Sequence, residues 1–224
     1  MKKKIFYTEI AYLIALALLA FGTALTVYGN LGVSMVVAPA FVLHLFVSKF
    51  FPFFSFALAE YVLQLIVILI LILILHKVKR IYLLSFLAAI FYGAVLDGSI
   101  ILLSILPVNI YLQVATYVIG AIICCAAIAL LFQSYFPPKA YDLFCKEAAI
   151  KYNLPVDKIV NSYNIASLSI AILLSIIFFG NIQGIGIGTV VCAFIYGKGI
   201  ALFQKLYKKL FDFKDMFDIR QRFE

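Results

Sequence analysis

The chain has no tryptophan and little charge. Of its 224 residues 12% are charged, and Asp and Glu number 10 against 18 Lys and Arg. So small a polar complement excludes a soluble domain, because 66% of the residues are hydrophobic and water would meet far too much of them. Mean hydropathy is +1.15, so the bilayer is the solvent. Without tryptophan, interfacial anchoring falls to 14 Tyr and 22 Phe. The four cysteines, Cys124, Cys125, Cys145 and Cys192, have no metal-ligand spacing and read as packing thiols. HExxH and GxSxG motifs and Cys/His clusters do not occur. Gly184, Gly186, Gly188 and Thr189 lack the Lys-Ser/Thr of a phosphate loop and read as close helix packing. No catalytic residue, metal or cofactor is assigned, and the expectation is a protein that is not an enzyme.

What is present is a series of long apolar runs. Ile10–Tyr28 is the first and stops at Gly29-Asn30. Phe53–Leu75, Ile81–Ile105, Tyr111–Gln133, Val156–Phe179 and Ile185–Phe203 are the others, each long enough to cross a bilayer. Two stretches break the series. Leu31–Pro52 is apolar but short, with Gly32 and Pro39 inside it. Tyr135–Lys158 carries Lys139, Asp142, Lys146, Glu147, Lys151, Asp157 and Lys158, and the cost of charge in hydrocarbon argues against its lying at the bilayer centre.

The formal net charge is +8, and the basic residues cluster at the edges of apolar runs and at the two ends. That pattern points to a membrane surface rather than to nucleic acid. Met1–Lys4, His76–Arg80, the charged stretch and the tail are then cytoplasmic, and Leu106–Asn109 and Gly180–Gly184 lie outside. Six long spans satisfy every placement if both short stretches dip in and leave on one face; eight spans would split the charged stretch across both faces. The fold class is therefore an all-α polytopic membrane protein with six long transmembrane helices. Two short broken, re-entrant or interfacial helices accompany them. Each half reads long, short, long, long, and Phe91–Leu102 resembles Val190–Ala201 at the same place in each. An odd number of long spans per half makes the repeats inverted. The expected units are a first membrane repeat over 1–107, a second over 108–204, and a basic amphipathic tail over 205–224, in which Phe203, Leu206, Tyr207, Leu210 and Phe211 recur at helical spacing.

Gly186-Ile187-Gly188-Thr189 followed by Ala193–Gly197 resembles the closing GxGT…Gxx signature of the YczE/YyaS/YitT group of bacterial membrane proteins. Pro137–Leu143 is similar to that group's GP-x-D-x-L motif, with Asp142 in the Asp place, and Leu31–Ser34 to its LGxSP motif. Pro137 stands where Gly is usual, Met35 where Pro is usual, and no acid follows Ser34. The resemblance implies an integral protein of the bacterial inner membrane and carries no defined activity.

Candidate site residues fall in two groups. Glu60 and Gln64 share a helical face, with Glu60 about 10 Å below the outer boundary and Asp97 in the same outer third. With His44 on the short apolar stretch they form a candidate coupling-proton or cation site. The bland alternatives are a helix-to-helix hydrogen bond for Glu60 and a satisfied interior histidine. Ser34, Asp142, Asn161, Asn164 and Lys198 are the candidates for touching solute; Asn161 and Asn164 share a face, and Lys198 alternatively snorkels to the interface. Pro137-Pro138 would start a helix whose free amides suit an anion. The charged stretch alternatively forms an interfacial helix with a solvated polar face. The leading function is secondary transport or export of a small polar or anionic solute, proton- or cation-coupled. The alternative is a non-transporting accessory or scaffold protein that binds a partner through its cytoplasmic face. The expected partners are the bilayer and a small solute, without nucleic acid; a homodimer through Gly-rich faces stays open.

Overall fold

A computed structural model describes residues 4–77, 80–136, 139–154 and 156–216. Met1–Lys3, Val78-Lys79, the Pro137-Pro138 helix start and the tail residues Arg220 and Arg222 lie outside these. Among the described residues the helices are α1 (Thr8–Gly29), α2 (Ala38–Val47), α3 (Phe56–Leu75), α4 (Arg80–Leu103), α5 (Ile110–Leu131), α6 (Ala140–Tyr152), α7 (Val156–Phe179) and α8 (Ile187–Leu210). Strands β1 (Lys4–Tyr7) and β2 (Phe211–Lys214) flank them.

The helix ends follow local chemistry. Asn30 takes a left-handed conformation, φ 51°, and closes α1 at the Gly29-Asn30 stop. The Ser55 side chain accepts the Leu58 amide at 3.2 Å, and Asn109 accepts that of Tyr111 at 2.9 Å, so α3 and α5 begin with caps. Five helices are long and apolar enough to cross a membrane: α1, α3, α5, Leu84–Leu103 of α4 and Lys158–Phe179 of α7. A sixth exists if α8 counts as one span, since it bends by 48° between Ile187–Ala193 and Tyr196–Leu210. α2 is a short apolar helix.

The order long, short, long, long occurs twice, and the packing repeats with it. α1 lies on α4 as α5 lies on α8; α2 on α3 as α6 on α7; and each short helix also packs on the second long helix of the other half, α2 on α7 and α6 on α3. α1 and α5 cross at the centre. There a Cβ on Gly120 would stand 2.7 Å from the Gly22 carbonyl oxygen, so only glycine lets the backbones meet. The halves differ around α4, which α6 also touches while α2 makes no like contact with α8 among the described residues. α3 rests on α4, with the Tyr61 ring over Gly93 and its hydroxyl donating to the Ile90 carbonyl at 2.9 Å. Among the described residues α7 and α8 do not pack together in this way, and a cavity lies between them.

The tail is where sequence spacing misleads. α8 runs on to Leu210 as the helical spacing expects, but Phe211–Lys214 is a strand, parallel to β1, with Lys4 opposite Phe211. Phe211-Asp212-Phe213-Lys214 alternates apolar and polar residues, the period of a strand. Phe6 sits between Phe211 and Phe213, with ring centroids 5.3 and 6.0 Å away. Glu9 locks the pair by accepting the Met216 amide at 2.9 Å and the Tyr135 hydroxyl at 2.7 Å. β1 and β2 therefore share one end of the bundle.

Candidate site where two short helices begin

The chain leaves α1, turns at Gly32 (φ 104°) and meets the start of α8: the Val33 amide donates to the Gly184 carbonyl at 3.1 Å, and Thr189 Oγ1 donates to the Val33 carbonyl at 2.7 Å. A Cβ at Gly32 would stand 2.4 Å from the Gly186 nitrogen. The chain then drops to mid-height of the bundle, where Ser167, halfway along α7, donates to the Met35 carbonyl at 2.9 Å. From there α2 runs back toward the end of α7, with Phe46 stacked on Phe178 at 4.1 Å. The second half does the same from the other end. After α5 the chain passes Tyr135 near Glu9, and Lys139 caps α6 beside the Tyr92 ring, halfway along α4. α6 then returns to the end of α3, where Lys151 donates to the Ile74 carbonyl. Both short helices thus begin inside the bundle and end at opposite faces.

Their N-termini share one space. A cavity of about 260 Å³ is walled by Ser34, Tyr141, Asp142, Asn161, Asn164 and Tyr196, among others. A smaller one of about 90 Å³ adds Thr23, Tyr92 and Lys139 and shares Ser34, Tyr141, Asp142 and Tyr196 with the first. Four sequence candidates, Ser34, Asp142, Asn161 and Asn164, therefore meet at one place. Lys198 is exposed and is not among the wall residues.

Lys139 is what reading the sequence misses as a site residue. Set in a stretch expected to stay out of the bilayer centre, it is 5% exposed, with its ammonium 3.6 Å from the centre of the Tyr92 ring. Burial lowers its pKa, against raising by Glu60 and Asp142. The available signal was Glu60, an intramembrane acid in need of an opposite charge. Glu60 is fully buried: Tyr141 Oη and Gln64 Nε2 both donate to its Oε2 at 3.2 Å, while its Oε1 and the Gln64 Oε1 have no hydrogen-bond partner among the described residues. Asp142 is exposed, but to the cavity; protein encloses it, which raises its carboxyl pKa against lowering by Lys139. Tyr92 donates to Thr23 Oγ1 at 3.0 Å, fixing the ring under Lys139.

Asp97 and His44 stand apart from this space. Asp97 Oδ1 accepts the Ala57 amide at 3.0 Å in the first turn of α3, where a carboxylate complements the helix dipole. His44 Nδ1 lies 2.9 Å from the Phe54 carbonyl oxygen. They flank the start of α3, with Glu60 one turn deeper and on other partners. The cysteines are free and buried, and Cys192 Sγ is 3.0 Å from the Tyr117 hydroxyl.

Long apolar helices, irregular backbone kept inside the bundle and short helices that begin at its centre define a polytopic helical membrane protein. The chain belongs to DUF6198, a family of unknown function that matches residues 6–205. No curated protein and no solved structure matches it.

Proposed function

We propose that this is a secondary transporter of a small polar solute, working by alternating access between two inverted halves, a reading supported by the packing symmetry. The observation that carries the reading is the pair of short helices whose N-termini meet at a polar cavity at mid-height. Broken helices placed so are how transporters present free amides to solute near the bilayer midplane. α8 is the sixth crossing, an even count that agrees with β1 and β2 lying together at one end. That end is cytoplasmic in a bacterial inner membrane, by the Lys/Arg bias. The cavity opens toward it: Phe132 at the end of α5 and Asn161 near the start of α7 belong to its wall. The α3–α4 contact closes the other side, so this is an inward-facing state.

Asn161, Asn164 and Ser34 face solute. Glu60 is the coupling group, because it is buried beside a polar cavity with one oxygen unsatisfied. Asp97 and His44 support it by holding the start of α3. Proteoliposomes offered small amino acids, carboxylates and polyols should accumulate at least one of them under an imposed pH gradient, and a Glu60→Gln, Asp97→Asn double variant should not. Equal flux in the double variant overturns the coupling. No flux for the whole set favours a scaffold instead.

A further inference from the structure

The shared space holds both signs of charge. Lys139 lines its narrow end and is 5% exposed. Among the described residues its ammonium meets no carboxylate or carbonyl at hydrogen-bond distance, and it rests on the Tyr92 ring. The start of α6 opens beside it, where Ala140 and Tyr141 carry the first amides; at α2 the Ala38 amide already donates to the Ser34 carbonyl at 3.0 Å and Pro39 has none, so that end contributes its dipole alone. Asp142 lies at the junction of the narrow and wide parts, and Asn161 and Asn164 stand in the wide part.

Charge bookkeeping narrows the ligand. Tyr141 stands between Lys139 and Glu60, its hydroxyl donating to Glu60 at 3.2 Å and its ring centre 5.9 Å from the Lys139 ammonium, so these two opposite charges offset one another. What is left is the positive ends of two helices, roughly half a charge each, against the Asp142 carboxylate. The empty site is then close to neutral but strongly dipolar. A simple anion would suit Lys139 and the helix ends, and would add a third negative charge, after Glu60 and Asp142, at a buried place with one lysine. A simple cation would suit Asp142 and face the helix ends. A molecule with a carboxylate at one end and an ammonium at the other meets both without changing the net charge. The wide cavity alone, at about 260 Å³, has room for roughly nine non-hydrogen atoms at about 30 Å³ apiece.

We propose that the joined cavities bind a small zwitterion of the amino-acid type, its carboxylate on Lys139 and the start of α6, its ammonium on Asp142. The inference rests on the transport reading for its purpose, while binding is measurable without flux. Tyr141 and Tyr196 wall the path between the two poles, and the Asn161 and Asn164 amides face the rest of the solute.

The test is equilibrium binding to the purified full chain in detergent, using L-alanine, L-valine and L-glutamine, with propionate and isopropylamine as single-charge probes. At least one amino acid should bind about 10- to 100-fold more tightly than either single-charge probe, since each of those leaves one buried polar group unmet. Asp142→Asn should weaken the amino acid by a similar factor and strengthen propionate, because it removes the competing negative charge. Lys139→Met should weaken both, and Asn164→Ala, which leaves the charges in place, covers the case in which Lys139→Met fails to fold, with a smaller loss of amino-acid affinity. Propionate binding as well as the amino acids, an unchanged Asp142→Asn, or no amino acid binding at millimolar concentration would each overturn the proposal. Uptake of propionate but of no amino acid would keep the transporter and sink the zwitterion; tight amino-acid binding without uptake would do the reverse.

Discussion

At the scale of single residues, the centre of this protein is a buried lysine answered from several directions. A charge on a lone helix inside hydrocarbon is costly, and Lys139 is tolerable there because Glu60, the Tyr92 ring and the enclosed Asp142 all lie close. The same enclosure makes neighbouring thiols inert. Burial, with a further contribution from Asp142, pushes the Cys145 thiol up to about 12. Only the thiolate attacks a maleimide, and at pH 7 that form is roughly one part in 10⁵. A variant with Cys145 as its sole cysteine should therefore label very slowly with N-ethylmaleimide at pH 7. The rate should climb about tenfold per pH unit through pH 10. Fast labelling at pH 7 would mean that Cys145 is not enclosed as described.

At the scale of elements, two features hold the short helices in place. One is the seam between the turn at Gly32 and the start of α8, where Thr189 ties Val33. The other is the glycine crossing of α1 and α5, which draws together the first helix of each half. Membrane helices gain little from hydrophobicity against one another, so close packing carries much of their association. Gly120→Ala would put a methyl group against the backbone of α1 and should cost about 1–3 kcal/mol. Gly98→Ala in α4 meets nothing within 4 Å and should be neutral or stabilising by up to about 1 kcal/mol. Thermal unfolding in detergent measures both, and equal effects would argue against the crossing.

At the scale of the whole molecule, the halves are alike in order and in most packing partners and unlike in where they close: α3 and α6 both rest on α4, while α7 and α8 are parted. If the halves exchange those arrangements, the cavity changes the face to which it opens. A bis-maleimide bridge between Val160→Cys and Ile200→Cys, on opposite walls of the gap in a background free of the native cysteines, should then block turnover while leaving each single variant active. Full activity of the bridged protein would show that this gap is not the moving part.

Much of this arrangement is legible in the residues. The long runs, the two interrupted stretches between them and the stop at Gly29-Asn30 follow from hydropathy and helix-end chemistry, which are local and add along the chain. Asn161 and Asn164 are also visible as one polar face at the start of an apolar run, whereas Ser34 and Asp142 stand out through the motifs of the resembled family. Three things needed the tertiary structure: the burial of Lys139, the meeting of the α2 and α6 starts, and the pairing of the two chain ends. Each depends on a partner far away in sequence. Tyr141 reaches Glu60 across 81 positions, and Glu9 holds Met216 across 207. Whether a charge can be buried is decided by what surrounds it in space, and a hydropathy count taken along the chain contains no term for that.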